Sequence, residues 1–352
     1  MSHRVAVIAG DGIGVEVTRE ALRVLEAVTP KLGAPVELTH LDWGAERWLR
    51  DKTTLPAGAA ELLAREQHAI LFGALGDPRV PEQIHARDIL LGLRFQLDLY
   101  INLRPVKLFD EKLTPLKGKT PADIDMLVFR ENTEGLYAGV GGNFKKDTLD
   151  EIAINEDLNT RKGVERILRA AFDAARSRRK QLCMSDKANA LPQAHGLWQR
   201  TWKLVAKDYP DVETNHLYID VAAMEMVRAP ERFDVIVTSN MFGDIITDLG
   251  AAIVGGLGLA ASGNIHPGRC SLFEPVHGSA PDIAGKGIAN PLGAISTLAL
   301  LLRHVGEAPA AELIDRAVED VVRRGPVTRD LGGTLSTEAC GHLVADAVAQ
   351  AA

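Results

Sequence analysis

The segment RVAVIAGDGIGVEV spans residues 4–17 and indicates the fold class. Its first part, Arg4–Ala9, is rich in Val and Ile and is typical of a buried strand, and the glycines of Gly10–Gly14 end that run in a tight turn. Apolar residues then recur at helical spacing from Val17 to Val28. The segment therefore predicts a strand, a glycine turn and a helix, which is the repeating unit of an α/β protein.

The same alternation continues outward from this segment. Apolar runs bounded by turn residues predict further strands, and helical periodicity predicts helices between them. After a long loop rich in Gly, Pro and Asn, three helical stretches follow Asn290, and we expect them to pack on the first sheet. The other predicted strands are Val36–Leu41, Ala69–Leu75, Asp125–Glu131, Gln181–Ser185, His216–Asp220 and Phe233–Ser239, and the other predicted helices are Ala59–Glu66, Arg161–Arg178 and one that starts near Gly243.

This order of elements predicts two domains, which agrees with a length of 352 residues. Residues 1–100 and 255–352 would form one α/β domain from both chain ends, and residues 101–254 would form the other.

Composition and charge narrow the possible functions. The chain has 40 Lys and Arg against 47 Asp and Glu, a formal net charge of −7, so a general nucleic-acid-binding surface is not expected. No apolar run reaches membrane-spanning length, and the first residues lack a signal-peptide pattern. Cys183, Cys270 and Cys340 are far apart and form no CxxC pair. We therefore expect a cytoplasmic protein with neither a membrane nor a nucleic-acid partner.

The turn Gly10–Gly14 has two interpretations. Glycine is needed in any tight strand-to-helix turn, and it would also let the backbone around Ile13 approach a cofactor closely. The spaced GxGxxG pattern of Rossmann folds is absent, because Asp11 and Ile13 occupy the wrong positions. A Rossmann fold is therefore not predicted.

Two aspartates in the segment SNMFGDIITD suggest a cation site. If a helix starts near Gly243, Asp244 and Asp248 share one of its faces and repel each other unless a cation lies between them. Mg²⁺ and Mn²⁺ prefer such carboxylate oxygens. The alternative is that Asp244 caps the helix and Asp248 is solvated.

Three arginines suggest an anionic ligand. Arg94 shares a helical face with Leu90 and Leu91, Arg104 follows in the Leu-Arg-Pro motif, and Arg130 ends an apolar strand. The guanidinium fork suits a carboxylate, which favours a small polycarboxylate substrate, while structural salt bridges are the alternative for each arginine.

Seven segments occur in the order found in β-decarboxylating dehydrogenases, and the similarity runs from about residue 4 to residue 333. The chain thus resembles this family, which includes the isopropylmalate, isocitrate, homoisocitrate and tartrate/D-malate enzymes. The resemblance implies a two-domain isopropylmalate/isocitrate dehydrogenase-like fold with mixed sheets flanked by helices, and a homodimer with shared active sites. The segments are GDGIGVEV, LRFQLDLYINLRP, FRENTEGLY, DKAN, IDVAAM, SNMFGDIITD and EPVHGSAPDIAGKGIANP.

The resemblance also implies roles for the two predicted domains and for individual residues. The domain of both chain ends would bind the cofactor, and residues 101–254 would bind substrate and metal and form the dimer interface. Tyr137 and the partner's Lys187 would transfer protons. Asp244 and Asp248 of one subunit and Asp220 of the other would bind Mg²⁺ or Mn²⁺. The implied substrate-binding residues are Leu90, Leu91, Arg94, Arg104, Arg130 and Asp220, and the implied cofactor-binding residues are Ile13, Glu274, His277, Gly278, Ser279, Ala280, Asp282 and Asn290.

The same comparison suggests the cofactor and the substrate. Asp282 occupies the position at which NADP-using relatives have a Lys-Tyr pair, and a carboxylate accepts hydrogen bonds from both ribose hydroxyls of NAD while repelling a 2′-phosphate. Leu90 and Leu91 favour 3-isopropylmalate, a substrate of leucine biosynthesis, because burying its isopropyl group stabilises the complex by roughly 2 kcal/mol. Arg87, where isopropylmalate enzymes usually have Glu, and the RENTEG motif keep isocitrate, homoisocitrate, tartrate and D-malate open as alternatives. A distant alternative is a non-catalytic nucleotide- or carboxylate-binding protein.

Overall fold

The structure is a computed structural model that describes residues 2–351. The strands are β1 (His3–Gly10), β2 (Val36–His40), β3 (Ala69–Ala74), β4 (Ile101–Lys107), β5 (Asp125–Glu131), β6 (Gly141–Phe144), β7 (Ile152–Asn155), β8 (Gln181–Asp186), β9 (Glu213–Tyr218), β10 (Val235–Thr238), β11 (Ala261–Ile265) and β12 (Ser271–Pro275). The α-helices are α1 (Ile13–Val28), α2 (Ala45–Asp51), α3 (Ala59–Glu66), α4 (Ile84–Gln96), α5 (Arg161–Arg176), α6 (Ala194–Val205), α7 (Ile219–Arg228), α8 (Asn240–Ile253), α9 (Leu292–His304), α10 (Ala308–Arg324) and α11 (Thr337–Gln350).

The predicted strand–turn–helix at the start of the chain is confirmed. Residues Val5–Ile8 of β1 are buried, and α1 directs a buried stripe that includes Val17, Ala21 and Val24 inward. A Cβ at Gly10, where φ is +72°, would lie 2.0 Å from the carbonyl oxygen of Ala74, so only glycine fits this turn.

The chain forms two compact units. The first contains residues 1–99, 107–122 and 251–352, and the second contains residues 100–106 and 123–250. The segment 107–122 lies in the first unit, whereas the sequence assigned it to the middle domain. Phe109 and Leu113 pack against the helical core of the first unit, and Lys112 Nζ donates to the carbonyl of Val322 in α10 at 3.0 Å.

In the first unit, the strand order is β2-β1-β3-β12-β11, with β1, β2, β3 and β12 parallel and β11 antiparallel to β12. The core beside this sheet includes buried side chains of α1, α9, α10 and α11. The expected return of the last three helices to the first domain is therefore confirmed. Of these helices, α9 lies on the sheet, and α10 and α11 pack on α9 and α1.

In the second unit, the strand order is β4-β5-β10-β8-β9, in which β5, β10, β8 and β9 are parallel. The helix α5 buries Val164, Ile167 and Leu168 against this sheet. β6 and β7 form a separate antiparallel hairpin. An α/β fold with mixed sheets flanked by helices was predicted, and it is confirmed.

Some predicted elements are wrong. The strand expected at His216–Asp220 ends at Tyr218, and Asp220 lies in the first turn of α7. The long loop expected before Asn290 contains β11 and β12. The segment ASGNI of β11 is too polar and glycine-rich to indicate a strand.

Candidate active site

Two arginines and one aspartate form an ion-pair cluster in the second unit. Arg104 on β4 and Arg130 near the end of β5 are both buried. Asp244 in α8 accepts a hydrogen bond from Nη1 of Arg130 at 2.5 Å, and its Oδ1 lies 3.4 Å from Nη2 of Arg104. The predicted carboxylate-binding arginines of this unit thus converge on one predicted metal ligand.

Neutral side chains orient both guanidinium groups. Asn240 Oδ1 accepts from Nε and Nη2 of Arg130 at 3.0 and 2.8 Å. Arg104 donates to Asn102 at 2.8 Å and to the Thr247 hydroxyl at 2.7 Å. The sequence analysis missed these three residues. Helical spacing on α8 could have found two of them, since Asn240 and Thr247 lie four residues before and three residues after Asp244.

Tyr137 belongs to the same cluster. It lies in a one-turn helix, Leu136–Ala138, and its hydroxyl donates to Oδ2 of Asp244 at 2.8 Å. Burial raises the pKa of Tyr137, and the hydrogen bond to Asp244 raises it further. The phenol therefore keeps its proton at neutral pH and is suited to act as a proton donor.

Asp248 lies one helical turn after Asp244. Its Oδ1 is 3.5 Å from Nη1 of Arg104, so both aspartates face that arginine, as expected for residues four apart. Partial burial raises the pKa of Asp248; Arg104 opposes this effect and the charge of Asp244 adds to it. The side chain is 60% exposed, so it is open to a ligand.

Lys187 and Asp220 form a second cluster in the same unit. Lys187 follows β8, and its Nζ lies 2.6 Å from Oδ1 of Asp220. The hydrogen bond from Lys187 lowers the pKa of Asp220, which is therefore ionised at neutral pH. Lys187 and Asp220 are the two residues that the family resemblance assigns to the partner's active site.

Within residues 2–351, no three His, Cys, Asp or Glu side chains lie close enough together to hold a metal ion. Asp220 therefore does not join Asp244 and Asp248 in one chain. The donor set nevertheless fits a hard divalent cation, because all three ligands are carboxylates; burial first, and the charge of Asp244 in addition, raise the pKa of Asp248, and a cation would favour its ionised form.

In the first unit, the glycine turn and the loop after β12 are in contact. The Ile13 N–H donates to the carbonyl of Ser279 at 2.9 Å, and a Cβ at Gly12 would lie 2.1 Å from that same oxygen. Two predicted cofactor-binding residues, Ile13 and Ser279, are thus brought together, and Gly12 permits the close approach.

The loop after β12 has room for a ligand. His277 Nε2 is buried without a hydrogen-bond partner among the described residues, and burial lowers the pKa of this imidazole. A Cβ at Gly278 would meet no atom within 4 Å. Ala280 has an unusual positive φ of 39°, and Asp282 is exposed. A buried unpaired imidazole nitrogen fits a hydrogen-bonding group of a nucleotide.

Three further predicted residues have protein partners. Glu274 accepts from Asn264 Nδ2 at 2.8 Å and lies 3.6 Å from Nη2 of Arg94, which is buried. Asn290 accepts at 3.0 Å from the N–H of Leu292, the first residue of α9, and it donates to Asp330 at 2.9 Å. Both bonds of Asn290 support the fold, so its predicted contact with the cofactor stays a prediction.

The two leucines of α4 have different surroundings. Leu90 packs partly against the core beside Ile89 and Leu93, whereas Leu91 lines a surface depression of about 400 Å³ together with Leu55 and Arg87. Their contact with a substrate side group remains a prediction.

Asp11 has a structural role that the sequence analysis missed. Its buried carboxylate accepts from the Ala45 N–H at 2.6 Å, from the Gly76 N–H at 2.9 Å and pairs with His85 Nε2 at 2.8 Å. Asp11 therefore joins the glycine turn to the start of α2, to the loop after β3 and to α4, the helix that carries Arg94.

Within the described residues, no helix is both long enough and apolar enough to cross a membrane. Cys183, Cys270 and Cys340 are buried and unpaired, and burial raises the pKa of each thiol to about 12.

Residues 4–346 match the model of the isocitrate/isopropylmalate dehydrogenase family. A relative named 3-isopropylmalate dehydrogenase from Thermobifida fusca is 51% identical over 351 residues, which is 99% of this chain and 98% of that protein. A relative of the same name from Frankia casuarinae is 50% identical and covers 96% of this chain and 100% of its own length.

Solved structures show the same fold. A crystal structure of isocitrate dehydrogenase from Methylococcus capsulatus has a TM-score of 0.88 and 39% identity, and the match covers 99% of this chain and 100% of that chain. A β-decarboxylating dehydrogenase from Thermococcus kodakarensis has a TM-score of 0.81 and 36% identity, with 98% and 96% coverage.

Proposed function

The chain belongs to the isocitrate/isopropylmalate dehydrogenase family, and on this premise we propose that it oxidises 3-isopropylmalate with NAD and releases the β-carboxylate as CO₂, a step of leucine biosynthesis. Family membership makes it a dehydrogenase that acts on a CH–OH group. One observation carries the choice of substrate: relatives that are about 50% identical over almost the whole chain are named 3-isopropylmalate dehydrogenase.

The proposed substrate is held by its two carboxylates. Arg94, Arg104 and Arg130 bind them, since buried guanidinium forks suit carboxylates. The isopropyl group contacts Leu90 and Leu91, and the C2 hydroxyl faces the aspartates. Asp244 and Asp248 with the partner's Asp220 hold Mg²⁺ or Mn²⁺.

Two side chains move protons. The partner's Lys187 accepts the proton of the C2 hydroxyl, and Tyr137, whose raised pKa keeps it protonated, returns a proton to C3 after CO₂ has left. When bound, the cation polarises the substrate oxygens and NAD accepts the hydride. Asp244 accepts hydrogen bonds from both Arg130 and Tyr137, and it thereby holds the carboxylate-binding guanidinium close to the proton-donating phenol.

The proposed NAD site combines the glycine turn at Ile13 with Glu274 and the loop from His277 to Asn290. The unpaired Nε2 of His277 and the open space at Gly278 support it. Asp282 is exposed and can accept hydrogen bonds from a ribose. We expect a higher kcat/KM with NAD than with NADP, and the opposite ranking would contradict this assignment.

We also propose a homodimer with shared active sites. Lys187 pairs with Asp220, and neither belongs to the cluster of Asp244, so a second subunit is needed to complete the metal and proton-transfer groups. Apolar side chains exposed on the second unit support a subunit interface. On the hairpin they are Phe144, Leu149 and Ile152, and on α7 and α8 they are Met224, Val227 and Ile245. The buried, unpaired cysteines are compatible with the reducing cytoplasm as the site of action.

A substrate panel tests the proposal. The acids are 3-isopropylmalate, isocitrate, homoisocitrate, D-malate and tartrate, each assayed with NAD and Mn²⁺ and ranked by kcat/KM. We expect 3-isopropylmalate to rank first. Isocitrate is the second candidate, because the isocitrate dehydrogenase of Methylococcus capsulatus has nearly the same fold. Isocitrate or any other acid in first place would contradict the proposal.

Asp244→Asn tests the role of the aspartate cluster. We expect turnover to fall by at least about 10³-fold, because the substitution removes a charge that serves the metal, Arg130 and Tyr137 at once. Asp346→Asn, at an exposed position of α11, is the control. Near-normal turnover of Asp244→Asn at saturating Mn²⁺ would refute the assignment.

A further inference from the structure

Lys187 is fixed through its backbone as well as through its side chain. Its N–H donates to Nδ1 of His195 at 2.9 Å. Its carbonyl accepts from the N–H groups of Ala190 and Leu191 at 2.9 and 2.8 Å. Both polar groups of the Lys187 backbone are therefore satisfied, one by a local turn and the other by a side chain from α6.

His195 is itself held on two sides. The ring is 1% exposed, its Nε2 lies 3.3 Å from Oδ2 of Asp157, and its centroid lies 5.2 Å from that of Phe242. The hydrogen bond to His195 lowers the pKa of Asp157. The imidazole is thus placed between an ionised carboxylate and the backbone of Lys187.

This geometry selects one tautomer of His195. A backbone N–H only donates, so Nδ1 must carry a lone pair where it meets Lys187. The proton of the neutral ring is then on Nε2, where the carboxylate of Asp157 accepts it. The opposite tautomer would place two N–H groups against each other at Lys187.

We propose that Asp157 and His195 are a positioning pair that sets the backbone of Lys187, and thereby the location of its amine. The inference rests on the proposed function in one respect, namely that Lys187 accepts a proton from the substrate. The His195 ring is buried, and its two nitrogens face Asp157 and the Lys187 backbone. Asp157 acts on His195, and His195 acts on Lys187, whose Nζ is held at Asp220.

A matched pair of amide variants separates positioning from general support of the fold. In His195→Asn, the side-chain oxygen can take the place of Nδ1 and accept from Lys187. In His195→Gln, the amide reaches the place of Nε2, which faces Asp157, and the acceptor at Lys187 is lost. We expect kcat of His195→Asn to stay within about threefold of wild type, and kcat of His195→Gln to fall about tenfold to a hundredfold with little change in KM.

Asp157→Asn tests the choice of tautomer. The new amide can donate to Nε2 and so favours the tautomer with the proton on Nδ1. We expect a loss of kcat similar to that of His195→Gln. ¹⁵N NMR of histidine-labelled protein, with the His195 signal assigned from its absence in His195→Asn, should show the Nε2–H tautomer in the wild type and a change in Asp157→Asn.

Three results would overturn the proposal. The first is a kcat of His195→Gln within twofold of wild type. The second is an equal loss of kcat in His195→Asn and His195→Gln that parallels the loss of thermal stability in each variant. The third is an Nδ1–H tautomer of His195 in the wild type. Failure of the proposed function is seen in the wild-type enzyme alone, which would then turn over another acid of the panel best, or none of them. The NMR measurement needs no activity and would still test the tautomer.

Discussion

At Gly243 the helix α8 passes so close to Arg130 that no side chain fits between them. A Cβ there would lie 2.5 and 2.6 Å from Cγ and Cβ of Arg130. Both atoms lie close to the main chain of Arg130. The Arg130 side chain is 2% exposed and its guanidinium is held by Asn240, so these atoms cannot move aside easily. The absence of a side chain at Gly243 is what lets Asp244, one residue later, reach Nη1 of Arg130.

Gly243→Ala should therefore impair substrate binding. Alanine favours a helix by up to about 1 kcal/mol over glycine, but overpacking of this kind typically costs about 1–3 kcal/mol. We therefore expect the steric clash to outweigh the gain in helix propensity. We expect KM for 3-isopropylmalate to rise about tenfold as Arg130 is displaced. Gly33→Ala, whose Cβ would meet only the Glu307 carboxylate at ordinary contact distances of 3.4 Å or more, is the control. An unchanged KM in Gly243→Ala would contradict this prediction.

Among the elements, those built on apolar periodicity could be predicted from sequence. The bounds of α3 and β5 agree with their predicted ranges, because a continuous run or a regular stripe of apolar residues is a local signal. β11 lacks that signal, and it exists because β12 supplies the hydrogen-bonding partner from elsewhere in the chain. Similarly, the sequence suggested that Asp244 and Asp248 share a face, but the bonds of Asp244 to Tyr137 and Arg130 span more than a hundred residues and depend on tertiary folding.

One connection between elements should depend on pH. Glu307, which precedes α10, accepts from the N–H groups of Gly33 and Ala34 at 2.8 and 3.0 Å and pairs with His3 Nε2 at 2.9 Å. The hydrogen bond from Gly33, with help from His3 and Ala34, lowers the pKa of Glu307. The contribution of ionised Glu307 to the free energy of unfolding is therefore complete above the unfolded-state pKa of about 4.3. It is lost as the pH falls through the lower pKa of the folded state.

Glu307→Gln should unfold more readily than the wild type at pH 7, because the amide keeps one acceptor oxygen and replaces the other with a donor. The difference in the free energy of unfolding should shrink as the pH falls below about 4. Urea denaturation of both proteins at several pH values measures it. A difference that stays constant down to pH 3 would show that the charge of Glu307 does not contribute, and Glu312→Gln is an exposed control on the same helix.

For the whole molecule, the two separate clusters of the second unit predict complementation between inactive subunits. Tyr137→Phe and Lys187→Ala each disable a different half of the proposed shared site. In a heterodimer of the two variants, one active site contains both substitutions and the other contains neither. Heterodimers purified with two affinity tags should therefore recover about half of the wild-type kcat, while each parent homodimer stays inactive.

This experiment distinguishes a dimer with shared active sites from a protein in which each chain carries a complete active site. If each chain carried a complete site, the heterodimer would contain only singly substituted sites and would be as inactive as its parents. A heterodimer of wild-type and Lys187→Ala chains is the control, because it retains one intact site in either case.

Burial raises the pKa of the Cys183, Cys270 and Cys340 thiols to about 12, so the native protein should react little with maleimides at neutral pH. Fluorescent dyes could consequently be attached at one chosen position without removing any natural thiol. Glu312, on α10, is exposed and lies outside the proposed subunit interface. Dyes on Glu312→Cys in separately labelled samples would thus provide an optical signal of subunit exchange.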